Sequence, residues 1–80
     1  MHTEGINITV GFVLINTLAE HEHNVYNALL NEPMIIEIRP LYNEYDILVK
    51  IKTSNNQKFG DFVSDKIRSL EGVIDTKTIQ

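Results

Sequence analysis

The segment Tyr42-Asn43-Glu44-Tyr45-Asp46 gathers side chains able to handle a small polar molecule. The Asp46 carboxylate could accept hydrogen bonds from a ligand ammonium, a charge-assisted contact of the stronger kind. It could equally fix a turn by taking nearby backbone N–H groups. Tyr42 and Tyr45 could line a pocket, apolar body inward and hydroxyl available, or pack across strands at a hairpin end. Thr76 and Thr78 lie two apart and so share one face of a strand. Their hydroxyls could bind a carboxylate or an ammonium, although threonine also favours strands for conformational reasons alone.

Other polar groups carry less. His21 and His23 stand beside Glu20 and Glu22. On a helix, residues two apart diverge by roughly 200°, so one metal would not readily take both. Lys50 and Lys52 share a strand face, with Arg39 opposite, and could form a basic patch for a carboxylate. Ion pairs with Glu37 and Asp46 are the alternative. Asp61 and Asp65 lie four apart on a solvated helix face. Ser54 and Ser64 have no His-Asp partners, cysteine is absent, and Gly11 stands alone inside a strand rather than in a phosphate-binding loop. The reading is therefore of a protein that is not an enzyme, with no metal and no cofactor.

These residues must be held by one small domain. The chain has 80 residues, with seven Lys or Arg against eleven Asp or Glu. A domain of this size buries only roughly 60% of its unfolded surface. Without cysteine it has neither disulfides nor thiolate zinc sites to support it, which points to oligomerisation. A net charge of -4 argues against direct nucleic-acid binding. No apolar run approaches the ~18 residues of a membrane span, and Val10–Ile15 has no basic leader or cleavage site. A cytoplasmic protein is expected, with no membrane partner. Residues 1–8 read as a lead-in and 9–80 as the domain, leaving no space for a helix-turn-helix.

Thr9–Asn16 reads as a strand apolar on both faces. Thr17-Leu18-Ala19-Glu20 matches a capping box, opening a helix that carries Val25, Tyr26, Leu29 and Leu30. Asn31 and Pro33 end it. Met34, Ile36 and Ile38 alternate with Glu37 and Arg39 as a second strand, and Pro40 closes it. After the turn at 42–44, Tyr45, Ile47, Val49 and Ile51 form a third strand with strict alternation, the pair making a hairpin. Ser54 and Gln57 form a second capping-box match. Phe59, Phe62, Val63, Ile67 and Leu70 then give an amphipathic stripe. Gly60 inside it would mark close packing on a sheet, and Gly72 takes the left-handed position after the helix. Val73–Ile79 is the last strand.

The order β-α-β-β-α-β with right-handed crossovers yields a ferredoxin-like α+β sandwich: a four-stranded antiparallel sheet with two helices on one face. Leu48 and Ile35 are expected on the uncovered face with the outward row of the first strand. That contiguous apolar surface predicts sheet-to-sheet dimerisation.

The residues 42–47, followed by Val49 and Ile51, resemble the Gly-x-Tyr-Asp hairpin of the Lrp/AsnC ligand-binding domain. Asp65-Lys66-Ile67-Arg68 with Leu70, Gly72, Val73, Thr76 and Thr78 resembles that family's second helix and Gly-Val-x-x-Thr-x-Thr ending. Val13–Ile15 and Val25–Leu29 fit its first strand and helix, so the resemblance covers roughly residues 10–79. Asn43 replaces the usual glycine, and asparagine tolerates positive φ better than most residues. The resemblance implies a homodimer, an octamer or larger ring, and an amino-acid effector bound between dimers. It assigns Tyr42, Asn43, Tyr45, Asp46, Thr76 and Thr78 to that effector. It implies a stand-alone effector-binding module acting in transcription regulation, with a full-length regulator of the same family as a partner. A structural oligomerisation module without effector, or an ACT-like regulatory subunit of an enzyme, is the alternative.

Overall fold

Alternating β-branched side chains and two amphipathic stripes assemble here into one sheet and one helical layer. The structure, a computed structural model, describes residues 8–80. All but the last residue of the lead-in lies outside the described residues. Strands β1 (Thr9–Thr17), β2 (Ile35–Pro40), β3 (Ile47–Thr53) and β4 (Val73–Ile79) form one antiparallel sheet in the order β2-β3-β1-β4. A 3-10 turn at Ala19–His21 leads into α1 (Glu22–Leu30). Helix α2 (Asn56–Phe62) continues as a π-helical turn over Val63–Ile67. This is the ferredoxin-like arrangement expected from the element order.

The core lies between the helices and one sheet face. Val13 and Ile15 of β1 and Ile47, Val49 and Ile51 of β3 are fully buried, against Val25 and Leu29 of α1 and Phe59 and Ile67 of the second helix. Each such side chain contributes roughly 1.5–3 kcal/mol through its removal from water. Gly11 makes the fit possible on β1. A Cβ there would lie 2.8 Å from the Phe59 ring, so only glycine admits that ring against the strand.

Met34 and Tyr45, read as strand residues, lie just outside β2 and β3, and at four further places the structure departs from the sequence reading with a local cause. Thr17 ends β1 rather than capping α1. Its hydroxyl donates to Asp46, and the 3-10 turn starts after Leu18 with no side-chain cap. The cap of α2 is Asn55 rather than Ser54. The Asn55 side chain accepts from the Lys58 N–H at 2.8 Å, because Thr53 is still in the ladder and extended backbone is needed one residue later. In β2 the register shifts between Ile35 and Glu37. That bulge turns Ile35 toward the core with Ile38 and leaves Ile36 exposed, which breaks the simple alternation. Ile35 is therefore not on the uncovered face. Gly60 does not pack on the sheet, since a Cβ there would meet nothing within 4 Å.

The uncovered face carries Phe12 and Leu14 of β1, Leu48 of β3, and Val10 and Ile79 at its rim. Leu14 pairs with Leu48 and with Lys77, and Phe12 with Lys50 and Ile79. The Lys50 ammonium lies 5.7 Å from the centre of the Phe12 ring, and Glu37, opposite Lys50, pairs with Arg39. The cations of this face are thus partly engaged by the sheet itself.

Gly72 has φ +98°, and a Cβ would fall 2.2 Å from that of His21. Gly60 inside the second helix and Gly72 after it therefore predict opposite outcomes. Gly60→Ala should raise stability by about 0.5–1 kcal/mol by removing backbone freedom from the unfolded chain. Gly72→Ala should lower it by more than that. Thermal unfolding checks both, since about 1 kcal/mol moves the midpoint of a domain this small by roughly 4–8 °C. Equal effects of the two substitutions would refute the assignment.

Candidate functional site

Asp46 is placed by three strands' worth of backbone. Its N–H donates to the Ile15 carbonyl at 2.9 Å, and its own carbonyl accepts from the Leu41 N–H at 2.8 Å. Its carboxylate oxygen Oδ2 accepts from the Thr17 N–H at 2.8 Å and from the Thr17 hydroxyl at 3.3 Å. The side chain thus ties the entrance of β3 to the end of β1. It does fix backbone, but backbone 29 positions away rather than within its own turn. Sequence reading missed Thr17 as the partner because a separation of that length leaves no local signal. Asn43 makes the turn's own bond, its side-chain oxygen accepting from the Tyr45 N–H at 3.3 Å. Among the described residues only Gly72 has positive φ, so Asn43 fills its position without the left-handed backbone that a glycine would favour.

The six sequence-derived candidates divide between the two sides of the sheet. Asn43 and Tyr45 line a shallow hollow of about 510 Å³ with Leu14, Leu41, Leu48 and Lys77. Leu14, Leu48 and Lys77 belong to the uncovered face. Tyr42, at the hairpin tip, is 91% exposed and touches no hollow with them. Thr76 pairs with Ile15 and Thr78 with Val13. Since directly paired residues share a face, both threonines lie on the helix-bearing side. Thr76 is half-buried and Thr78 exposed. Asp46 sits between the two sides at the end of the sheet.

Thr76 has company that the sequence did not single out as a site. It lines a mainly polar hollow of about 240 Å³ with Arg68, Val73, Ile74 and Asp75, between the end of the second helix and β4. Asp61 and Asp65 flank a separate open groove beside Met34, Phe62 and two lysines. The histidines go different ways. His21 is half-buried over Gly72, its Nε2 3.6 Å from Glu71, and His23 bonds Asn27 at 3.1 Å. Among the described residues no three metal-ligating side chains converge, and no helix is long and apolar enough to cross a membrane.

This geometry has relatives. The sequence matches the Lrp/AsnC ligand binding domain over residues 10–79. It is 36% identical over 75 residues to the HTH-type transcriptional regulator FL11 of Pyrococcus furiosus, a match covering 94% of this chain and 48% of that protein. The chain spans about half the length of the curated relatives it matches. Among solved structures, FFRP-DM1 superposes with a TM-score of 0.84 at 33% identity, over 88% of this chain and 93% of that one. The transcriptional regulator NMB0573 of Neisseria meningitidis, solved as a complex with L-Met, shares the fold with a TM-score of 0.82 at 18% identity, over 92% of this chain and 49% of that one. With a family match spanning nearly every described element and curated homologues that are transcriptional regulators, the chain belongs to the Lrp/AsnC ligand-binding domain family.

Proposed function

We propose that this domain senses a small molecule, an amino acid, at an interface between copies of the chain. It would pass that signal to transcription through its assembly or through contact with a regulator carrying the same domain. The observation that carries the reading is the division of the candidate side chains. Asn43 and Tyr45 face one side, Thr76 and Thr78 the other, and Tyr42 projects from the tip. One protomer therefore encloses no ligand with all of them, and a second must complete the site. The apolar row on the uncovered face supports a sheet-to-sheet dimer as the unit of assembly. The neighbour solved with L-Met supports an amino acid as the ligand class.

Mechanistically the ligand acts by mass action. A molecule that binds only the assembled form stabilises it by RT ln(1 + [L]/Kd), about 2.7 kcal/mol at a hundredfold excess over Kd. Asp46 contributes by holding the hairpin in register through Thr17, while its second carboxylate oxygen is the group available to an ammonium.

Three measurements test this. Thermal unfolding and solution mass, recorded with each of the twenty amino acids in turn, should single out one or a few that raise the midpoint or change the mass. A flat panel would leave a purely structural oligomerisation module as the reading. Leu14→Asp places a charge at the centre of the uncovered face and should reduce the solution mass to that of one chain. An unchanged mass would exclude the sheet-to-sheet dimer. Asp46→Ala strips the Thr17 N–H of its acceptor and should cost about 1–3 kcal/mol, whereas Asp46→Asn keeps an oxygen there and should retain most of the stability while weakening any ammonium contact.

A further inference from the structure

Two rows of side chains carry the apolar surface of the uncovered face, and each row ends in a charge at the same edge. Register places Arg39, Leu48, Leu14 and Lys77 side by side across the four strands. The neighbouring row on that face is Glu37, Lys50, Phe12 and Ile79. Arg39 and Glu37 are thus adjacent on β2, an edge strand, and their side chains pair with each other. Within that pair the Arg39 side chain is still 67% exposed and that of Glu37 39%, so both can meet a facing surface. The edges themselves are poor docking strands. β2 is bulged between Ile35 and Glu37, and in β4 Asn16 pairs with Asp75 but Thr17 with Val73, so Ile74 bulges out of the ladder. Bulges turn an edge away from further strands, which leaves the face as the route for a second copy.

A face-to-face pair of identical sheets is isologous: a two-fold axis lies between them, and residue i meets residue j as j meets i. Aligned packing leaves two directions for that axis. An axis along the strands, centred between β1 and β3, lays β2 over the second copy's β4 and sets Arg39 against Lys77. An axis across the strands, between the two rows, lays β2 over β2 run antiparallel. It sets Leu14 against Phe12 and, twice, Arg39 against Glu37. The two copies of β2 cross on that axis, so these positions stay opposed whatever the crossing angle. Packed sheets lie about 10 Å apart, a gap that an Arg and a Glu side chain span together. Like charges facing one another across an interface are costly, and opposite ones choose the partner. We infer that the second copy docks with its strands antiparallel to the first, and that Glu37 and Arg39 select it by meeting its Arg39 and Glu37. Four charges then alternate around the axis, a network rather than an isolated surface pair. A chain of the same fold with other charges at these two positions is rejected even where its apolar row fits. This inference rests on the sheet-to-sheet reading above and adds its orientation and its choice of partner.

Mixing variants tests it. The double swap of Glu37→Arg with Arg39→Glu keeps the pattern complementary to itself and reverses it toward the native chain. Isotope-labelled native chain and swapped chain, mixed and allowed to exchange at low salt, are read by native mass spectrometry. Each alone should dimerise, and mixed dimers should fall about fivefold below their random share of one half. In 1 M ammonium acetate, where charges are screened beyond about 3 Å, the random share should return. Two single variants serve where the double swap fails to fold. Arg39→Glu and Glu37→Arg should each self-associate more weakly than the native chain, and mixing the two should restore dimers. Mixed dimers at or above the random share would overturn the inference and leave the sheet-to-sheet dimer standing. So would tighter self-association of Arg39→Glu, the result that an axis along the strands gives by facing that position with Lys77. If the native chain stays a monomer, the dimer falls and the inference with it.

Discussion

A four-stranded sheet has two faces, and this chain supplies helices for one. That constraint governs the rest of the molecule. The helix-facing row of β1 and β3, five aliphatic side chains fully out of water, meets α1 and α2 and forms the whole core. The opposite row is nearly as apolar at Phe12, Leu14 and Leu48, but among the described residues no helix covers it. In a domain of 80 residues, where burial barely offsets the entropy of folding, an uncovered apolar row represents stabilisation not yet realised. Assembly through that face would realise it. The lysines around the row temper the cost of leaving it exposed, with Lys50 over the Phe12 ring.

What was legible in the sequence followed from periodicity. The alternation of Ile47, Val49 and Ile51, and the spacing of Phe59, Phe62, Val63 and Ile67, are repeated signals that no single local interaction can overturn. Element order then fixes the topology, since right-handed crossovers leave few choices. The misreadings fall where one hydrogen bond decides. Thr17 has every local attribute of a helix cap, yet its hydroxyl goes to Asp46. Ser54 and Asn55 are both competent caps, and the length of β3 selects the second. Gly60 and Gly11 show the same limit from the other side. Both interrupt apolar patterns, but only Gly11 lies under an aromatic ring, and which glycine meets a neighbour is a property of the packed layer.

The candidate site was legible as a list and not as a place. Residue types and the family resemblance picked out the hairpin and the two threonines. They could not show that Leu14, Leu48 and Lys77 put Asn43 and Tyr45 on the uncovered side while Ile15 and Val13 put Thr76 and Thr78 on the other. Strand parity and register settle that, and register in β4 depends on the bulge at Ile74. The same bulge had no precursor in the sequence, because Val73-Ile74-Asp75-Thr76 reads as an ordinary strand.

The separation of the candidate groups has a consequence for how such a domain could signal. A ligand shifts an equilibrium only by its difference in affinity between the two states. A pocket complete within one protomer would bind equally well in free and assembled chains, and its occupancy would leave assembly unchanged. A site whose polar groups lie on different sides of the sheet, with the hairpin tip standing out in solvent, binds well only when another copy supplies the missing wall. On the proposed reading, incompleteness of the single chain would be the property that converts ligand concentration into oligomeric state. The Asp46–Thr17 tie holds the hairpin to the end of β1, and in that scheme binding energy would be spent on joining chains rather than on ordering a loop.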